Sequence, residues 1–139
     1  MAIHPVEEAT IRAFVRSEKR DRFITLLGNP KRRRDAVNEL NHFDGWDYRF
    51  GRSLDSDVDL LEVLRNSGAE DFCHLISNDS SLDGQTRALN DAVRSVEAYS
   101  FASILCCNSG QLACFIDEAE APRRRIVFKK SDRSSQKKL

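Results

Sequence analysis

The sequence is short of the residues that loosen or interrupt a fold. It has 6 glycines and 3 prolines among 139 residues, too few for a flexible linker between domains. No apolar run approaches the ~20 residues of a membrane helix, so no membrane association is expected. The stretch MAIHPVEEATIRAF carries acids where a secretory signal carries a basic segment and then an apolar one. A cytoplasmic protein with reduced thiols is therefore expected. No C-x-x-C pair, H-E-x-x-H, Walker loop, dinucleotide fingerprint or serine elbow occurs. No cofactor and no metal site is implied. Net charge is absent as well, whereas a dedicated nucleic-acid domain is usually strongly basic.

What is present is a soluble globular profile, with 40% hydrophobic and 32% charged residues. The length is that of one ordinary domain. The charge is unevenly distributed. Residues 1–43 hold 9 Lys/Arg against 6 Asp/Glu, residues 44–97 hold 5 against 12, and residues 98–139 hold 8 against 4. Such blocks serve either an outside partner or attraction between segments of the same chain.

The first 43 residues predict three helices. Pro5 starts the first, with Ile11, Phe14 and Val15 as its apolar stripe. Ser17 is the expected N-cap of the second, which buries Phe23, Ile24, Leu26 and Leu27 and stops at Gly28. Asn29-Pro30 opens the third, with Val37 and Leu40 inward. The stretch FDGWDYRFGRSLDSD is expected to be a long loop. Ser56 then caps a helix bearing Val58, Leu61 and Leu64, ended by Gly68. FCHLIS predicts a strand, NDSSLDG a loop, and Leu89, Ala92, Val93 and Val96 a fifth helix. FASILCC, LACFI and RIVF predict three more strands. If FCHLIS and FASILCC are parallel neighbours, the helix between them is a right-handed crossover and the last three strands form an antiparallel meander. The expected fold is α+β: a three-helix N-terminal cap and a small mixed four-stranded sheet with helices on one face. Residues 1–130 form the domain, and residues 131–139 a disordered basic tail.

Three of the four cysteines fall within FASILCCNSGQLACF. A three-residue turn at NSG sets Cys106 opposite Leu112 and Ile104 opposite Cys114. Alternation then sends Cys106 and Cys107 to opposite faces and leaves Cys106 with Cys114 on an apolar one. Three thiols so arranged cannot converge on a zinc ion. Cys107, on a more mixed face, keeps the better claim to reactivity. Cys73 and His74 are strand neighbours whose side chains diverge, so they are not a nucleophile–base pair.

NPKRRRD is the physical anomaly. Lys31, Arg32, Arg33 and Arg34 sit at a helix start, where each cation costs about 0.3–1 kcal/mol against the macrodipole. Free N–H groups and guanidinium groups there can hold an anion. The alternative is internal pairing with Asp35, Glu39 or the acidic middle of the chain. Phe43, Trp46, Tyr48 and Phe50, with Arg49 and Arg52, give the loop either an interface or a role in packing over the core. Asp79 and Asp83, with His74, form an alternative acidic site after the first strand, against which stands ordinary Asp-Gly turn chemistry. Arg123, Arg124, Arg125, Lys129 and Lys130 read as protection of an edge strand.

ISNDSSLDG, followed by a helix and the ILCC–CF hairpin, resembles a pattern in small bacterial α+β proteins with no assigned function. The resemblance covers about half of the chain and implies a bacterial cytosolic protein. The expected function is a non-enzymatic binding or regulatory module that engages an acidic protein or a nucleic-acid backbone. Lys31, Arg32, Arg33, Arg34, Trp46 and Arg49 would carry it. The alternatives are an enzyme built on Asp79, Asp83 and His74, and an oligomerisation protein that adds sheet edges.

Overall fold

The computed structural model describes residues 3–41, 45–98, 101–118 and 124–130. Phe43, Arg123 and the expected tail over 131–139 lie outside them.

Pro5 fixes the first turn of α1 (Pro5–Phe14), and His4 caps it by accepting the Val6 N–H at Nδ1, 3.2 Å. α2 (Ser17–Leu27) has Arg16 rather than Ser17 as its N-cap, without a side-chain bond. α3 (Arg33–Leu40) follows a turn in which Asn29 accepts the Lys31 N–H. α4 (Leu60–Asn66) is capped by Asp59, not Ser56, and α5 covers Leu89–Ala98. The strands are β1 (Gly51–Ser53), β2 (Phe72–Ser77), β3 (Thr86–Ala88), β4 (Ser103–Asn108), β5 (Leu112–Ile116) and β6 (Arg125–Lys129). They form one sheet in the order β1-β6-β5-β4-β2-β3, with every pair antiparallel.

The class is α+β, but the expected four-stranded mixed sheet is overturned. The two extra strands are three residues each, GRS and TRA, and neither carries an apolar alternation that would mark it. β3 also explains the lost parallel pair. NDSSLDG is a hairpin connection that turns the chain back into β3, pairing His74 with Thr86. This extra reversal makes β4 run antiparallel to β2, with His74 opposite Cys106.

Helices on one face is likewise corrected. α1, α2 and α3 cover one face through Ile11, Phe14, Phe23, Leu27, Val37 and Leu40, packed on Ile76, Ile104, Phe115 and Phe128. α4 and α5 cover the other through Leu60, Leu64, Val93 and Val96, packed on Leu75, Leu105, Cys114 and Val127. Strands buried on both sides read as continuous apolar runs, and β5 is buried at all its positions.

The hairpin register differs from the expected one. Gly110 takes φ 71, Leu105 faces Cys114, and Cys106 faces Ala113. The pairing then jumps to Asn108–Leu112, so Cys107 is the extra residue of a bulge. Cys106 therefore lies on the α1–α3 face, while Cys107 and Cys114 lie on the other. The shared face expected for Cys106 and Cys114 is overturned by this one-residue slip.

Trp46 closes the first layer. Its backbone bridges Val15, its ring stacks on Phe128 at 4.9 Å, and Nε1–H donates to the Leu40 carbonyl at 2.9 Å. It is 2% exposed and is the one tryptophan of the chain. Native fluorescence should therefore be blue-shifted and shielded from iodide, with both properties lost in urea. Red-shifted, iodide-quenchable emission from the native protein would contradict this packing.

Candidate functional site

Arg33, at the first position of α3, brings together two of the clusters that the sequence keeps apart. Its Nε donates to Asp83 Oδ2 at 2.7 Å and Nη2 to Asp83 Oδ1 at 2.9 Å. On the other side Nη1 donates to Glu7 Oε1 at 2.7 Å and Nη2 to Glu7 Oε2 at 2.8 Å. The remaining Nη1 proton reaches the Leu27 carbonyl at 3.3 Å. All five guanidinium donors are thus engaged.

The network continues into the sheet. Glu7 Oε2 also accepts from His74 Nε2 at 2.7 Å, and Asp83 Oδ1 accepts the Ser77 N–H at 3.0 Å. With Glu7 ionised, Nε2 is the donor of this bond. His74 Nδ1 lies 3.3 Å from Thr86 Oγ1, and the His4 ring stacks on it at 4.2 Å. Ser77 Oγ bonds Ser103 Oγ at 2.7 Å and accepts the Asp79 N–H, while Asp79 itself holds the Ser81 N–H and hydroxyl. Burial alone would push the Glu7 carboxyl up. The His74 and Arg33 hydrogen bonds outweigh it and hold the group below its ordinary range. The bonds to Asp83 and Glu7 raise Arg33 further above its ordinary value. Burial and then the neighbouring His74 lower His4.

This cluster is a clamp between α1, α3, β2 and the β2–β3 turn. Its carboxylates, imidazole and guanidinium each hold a partner within the fold. The other sequence candidates lie elsewhere. Lys31, Arg32 and Arg34 are exposed; Arg32 sits 3.6 Å from Asp35, and Lys31 and Arg34 have no ion pair among the described residues. Arg34 borders a cleft of about 150 Å³ with Pro30, Val37, Ser77 and Asn78 above the clamp. Trp46 is in the core, and Arg49 pairs with Asp47 at 2.6 Å. The thiols are buried and free: burial pushes Cys106 up to about 12 and raises Cys114, and the Cys107 hydrogen bond, then burial, raises Cys73. Among the described residues no His, Cys, Asp and Glu group can hold a metal ion, and no helix is long and apolar enough to cross a membrane.

A second place emerges from the β1–β6 pairing. Arg52 lies opposite Val127, and Lys129 is two residues further along β6. Cross-strand partners and i, i+2 residues share a face, so all three project toward α4. α4 is 7 residues long and does not cover this corner. The result is a cleft of about 490 Å³ lined by Arg52, Lys129, Val127, Phe50, Val63, Asn66 and Ser67. Among the described residues no carboxylate lines it. β6 is an interior strand, so Lys129 does not guard an edge. Nothing in GRS announces a strand, and without β1 the partnership of Arg52 with Lys129 is invisible. Comparisons with protein-family models, curated proteins and solved structures find no match to this chain.

The clamp sets two expectations. Arg33→Ala leaves Glu7, 1% exposed, without its cation and should cost about 3–5 kcal/mol in urea unfolding. A loss below ~1 kcal/mol, the level of a surface pair, would show that the clamp is not buried in solution. The pH dependence follows from the lowered Glu7 group. Between its folded pKa and its ordinary value of 4.5 the unfolded chain binds more protons. The stabilisation is thus complete above pH 4.5 and lost as the pH falls through the folded value. Stability should fall more steeply below pH 4.5 in the wild type than in Glu7→Gln, and equal slopes would contradict the assignment.

Proposed function

We propose that the chain is a non-enzymatic binding module that engages an anionic partner, and that the cleft between β1, β6 and α4 is where it does so. One observation carries this reading: Arg52 and Lys129 flank a concave surface and have no carboxylate partner among the described residues. Other arginines are committed within the fold: Arg12 to Glu8, Arg22 to Glu39, Arg33 to Glu7 and Asp83, Arg124 to Asp117. Cations without internal partners raise the local potential, which steers and holds an acidic ligand. Nearby, Lys130 Nζ stands 3.9 Å from the Phe50 ring centre.

The helix start contributes less to this reading than its sequence suggests, because Arg33 faces inward. A cytoplasmic location is part of the proposal, supported by four free buried thiols that suit a reducing compartment.

Retention on a heparin column separates the cleft from the helix start. Arg52→Glu/Lys129→Glu and Lys31→Glu/Arg34→Glu change the net charge equally. The cleft variant should elute at distinctly lower salt than the helix-start variant. Equal elution of the two, or earlier elution of the helix-start variant, would overturn the assignment to the cleft.

A further inference from the structure

Resting on that anion-binding reading, we infer that the occupant of the cleft is a small amphipathic organic anion, a single acidic head on a flat apolar body. Its volume, about 490 Å³, falls within the range of small-molecule sites, and its lining sets Phe50, Val63 and Val127 beside four polar residues. Arg52 stands about 5 Å from Val127 across the strands, and Lys129 about 7 Å along β6. Side chains of their length can bring both charged ends over one apolar residue and onto one head group. Val127 is nearly buried, and Phe50 and Val63 are half-buried, so the floor beneath them offers apolar contact.

The α4 side of the cleft is different. Asn66 and Ser67 stand at the C-terminal end of the helix, and their side chains make no hydrogen bond among the described residues. The helix dipole is negative there, which directs the acidic head to the strand side and leaves Asn66 and Ser67 for neutral polar groups of the ligand. An extended acidic polymer gains charge contact from the two cations but leaves the apolar floor unused. Here two cations overhang an apolar floor, a shape that suits one compact ligand.

Fluorescence titration with anilinonaphthalene sulfonate, a sulfonate on aromatic rings, tests this beside inorganic phosphate and polyglutamate. One-site saturation by the sulfonate is expected, weakened at least about tenfold by Arg52→Ala or by Lys129→Ala. Val63→Ser should also weaken it, with the Trp46 emission unchanged as the check on folding. Binding insensitive to all three substitutions would overturn the inference, as would phosphate binding as tightly as the sulfonate. Cleft-dependent binding of polyglutamate without saturable sulfonate binding would overturn the small-ligand inference and keep the anion-binding reading. Binding of none of the three probes would overturn both.

Discussion

The structure depends on Arg33 finding two carboxylates at once. Apolar contact is non-directional, and the face of the sheet under α1–α3 would accept those helices in more than one orientation. A planar guanidinium with five fixed donors would not. Glu7 comes from α1, 26 residues before Arg33, and Asp83 from the β2–β3 turn, 50 residues after it. His74 closes the set from the sheet, 67 residues from Glu7. The clamp therefore fixes where the helical layer sits along β2. Any displacement that parts Arg33 from Glu7 leaves a carboxylate 1% exposed without its cation, at a cost of several kcal/mol.

The same clamp accounts for part of the anomaly at the start of α3. A cation in the first turn of a helix opposes the macrodipole, and four in a row do so together. Arg33 is removed from that sum by its bonds to Glu7 and Asp83, which are stronger than the dipole penalty. Asn29 supplies a capping acceptor for the Lys31 N–H, and Asp35 sits within 3.6 Å of Arg32. Only Lys31 and Arg34 stay without an ion pair among the described residues. The positively charged first block of the chain and its acidic middle thus attract each other, with Arg33–Asp83 as their point of contact.

Periodicity made the well-formed elements legible and left the connections dark. Pro5 and the Ile11–Phe14–Val15 stripe mark α1, and Leu89, Ala92, Val93 and Val96 mark α5. The long apolar strands stand out too. What escaped was long-range. GRS and TRA become strands only because β6 and β2 offer them unpaired backbone, which is a property of the sheet and not of those residues. Missing β3 meant missing one chain reversal, and with it the antiparallel order. Continuous apolar runs do signal burial on both faces, and that signal was present in ILCC and LACFI. The bulge at Cys107 has no local signature, yet it moves Cys106 across the sheet from Cys114. Glu7 was hidden for a different reason. An acid in the first helical turn satisfies the dipole rule, so nothing set it apart from Glu8, although one is buried and the other borders solvent.

The two arms of β6 sharpen the argument about function. Arg125 and Lys129 are four residues apart on one strand and project from the same face of the sheet. Arg125 is buried, its guanidinium held by the Val58 and Asp55 carbonyls and close to Glu97. That cation serves the fold by anchoring the loop before α4. Lys129 lies at the other end, beyond the reach of that loop, with Arg52 across from its neighbour Val127. The chain thus had the means to neutralise a basic residue on this face and did so at one end. At the other it leaves two cations, an amide and a hydroxyl around an apolar floor. Both sheet edges, β1 and β3, are only three residues long, which gives another chain little ladder to extend. The acids Asp79 and Asp83 are held by the turn and the clamp. Lys31 and Arg34 also lack an ion pair among the described residues, but the β1–β6–α4 corner sets its two cations, amide and hydroxyl around a cleft of about 490 Å³, and that makes it the site to which a ligand adds most.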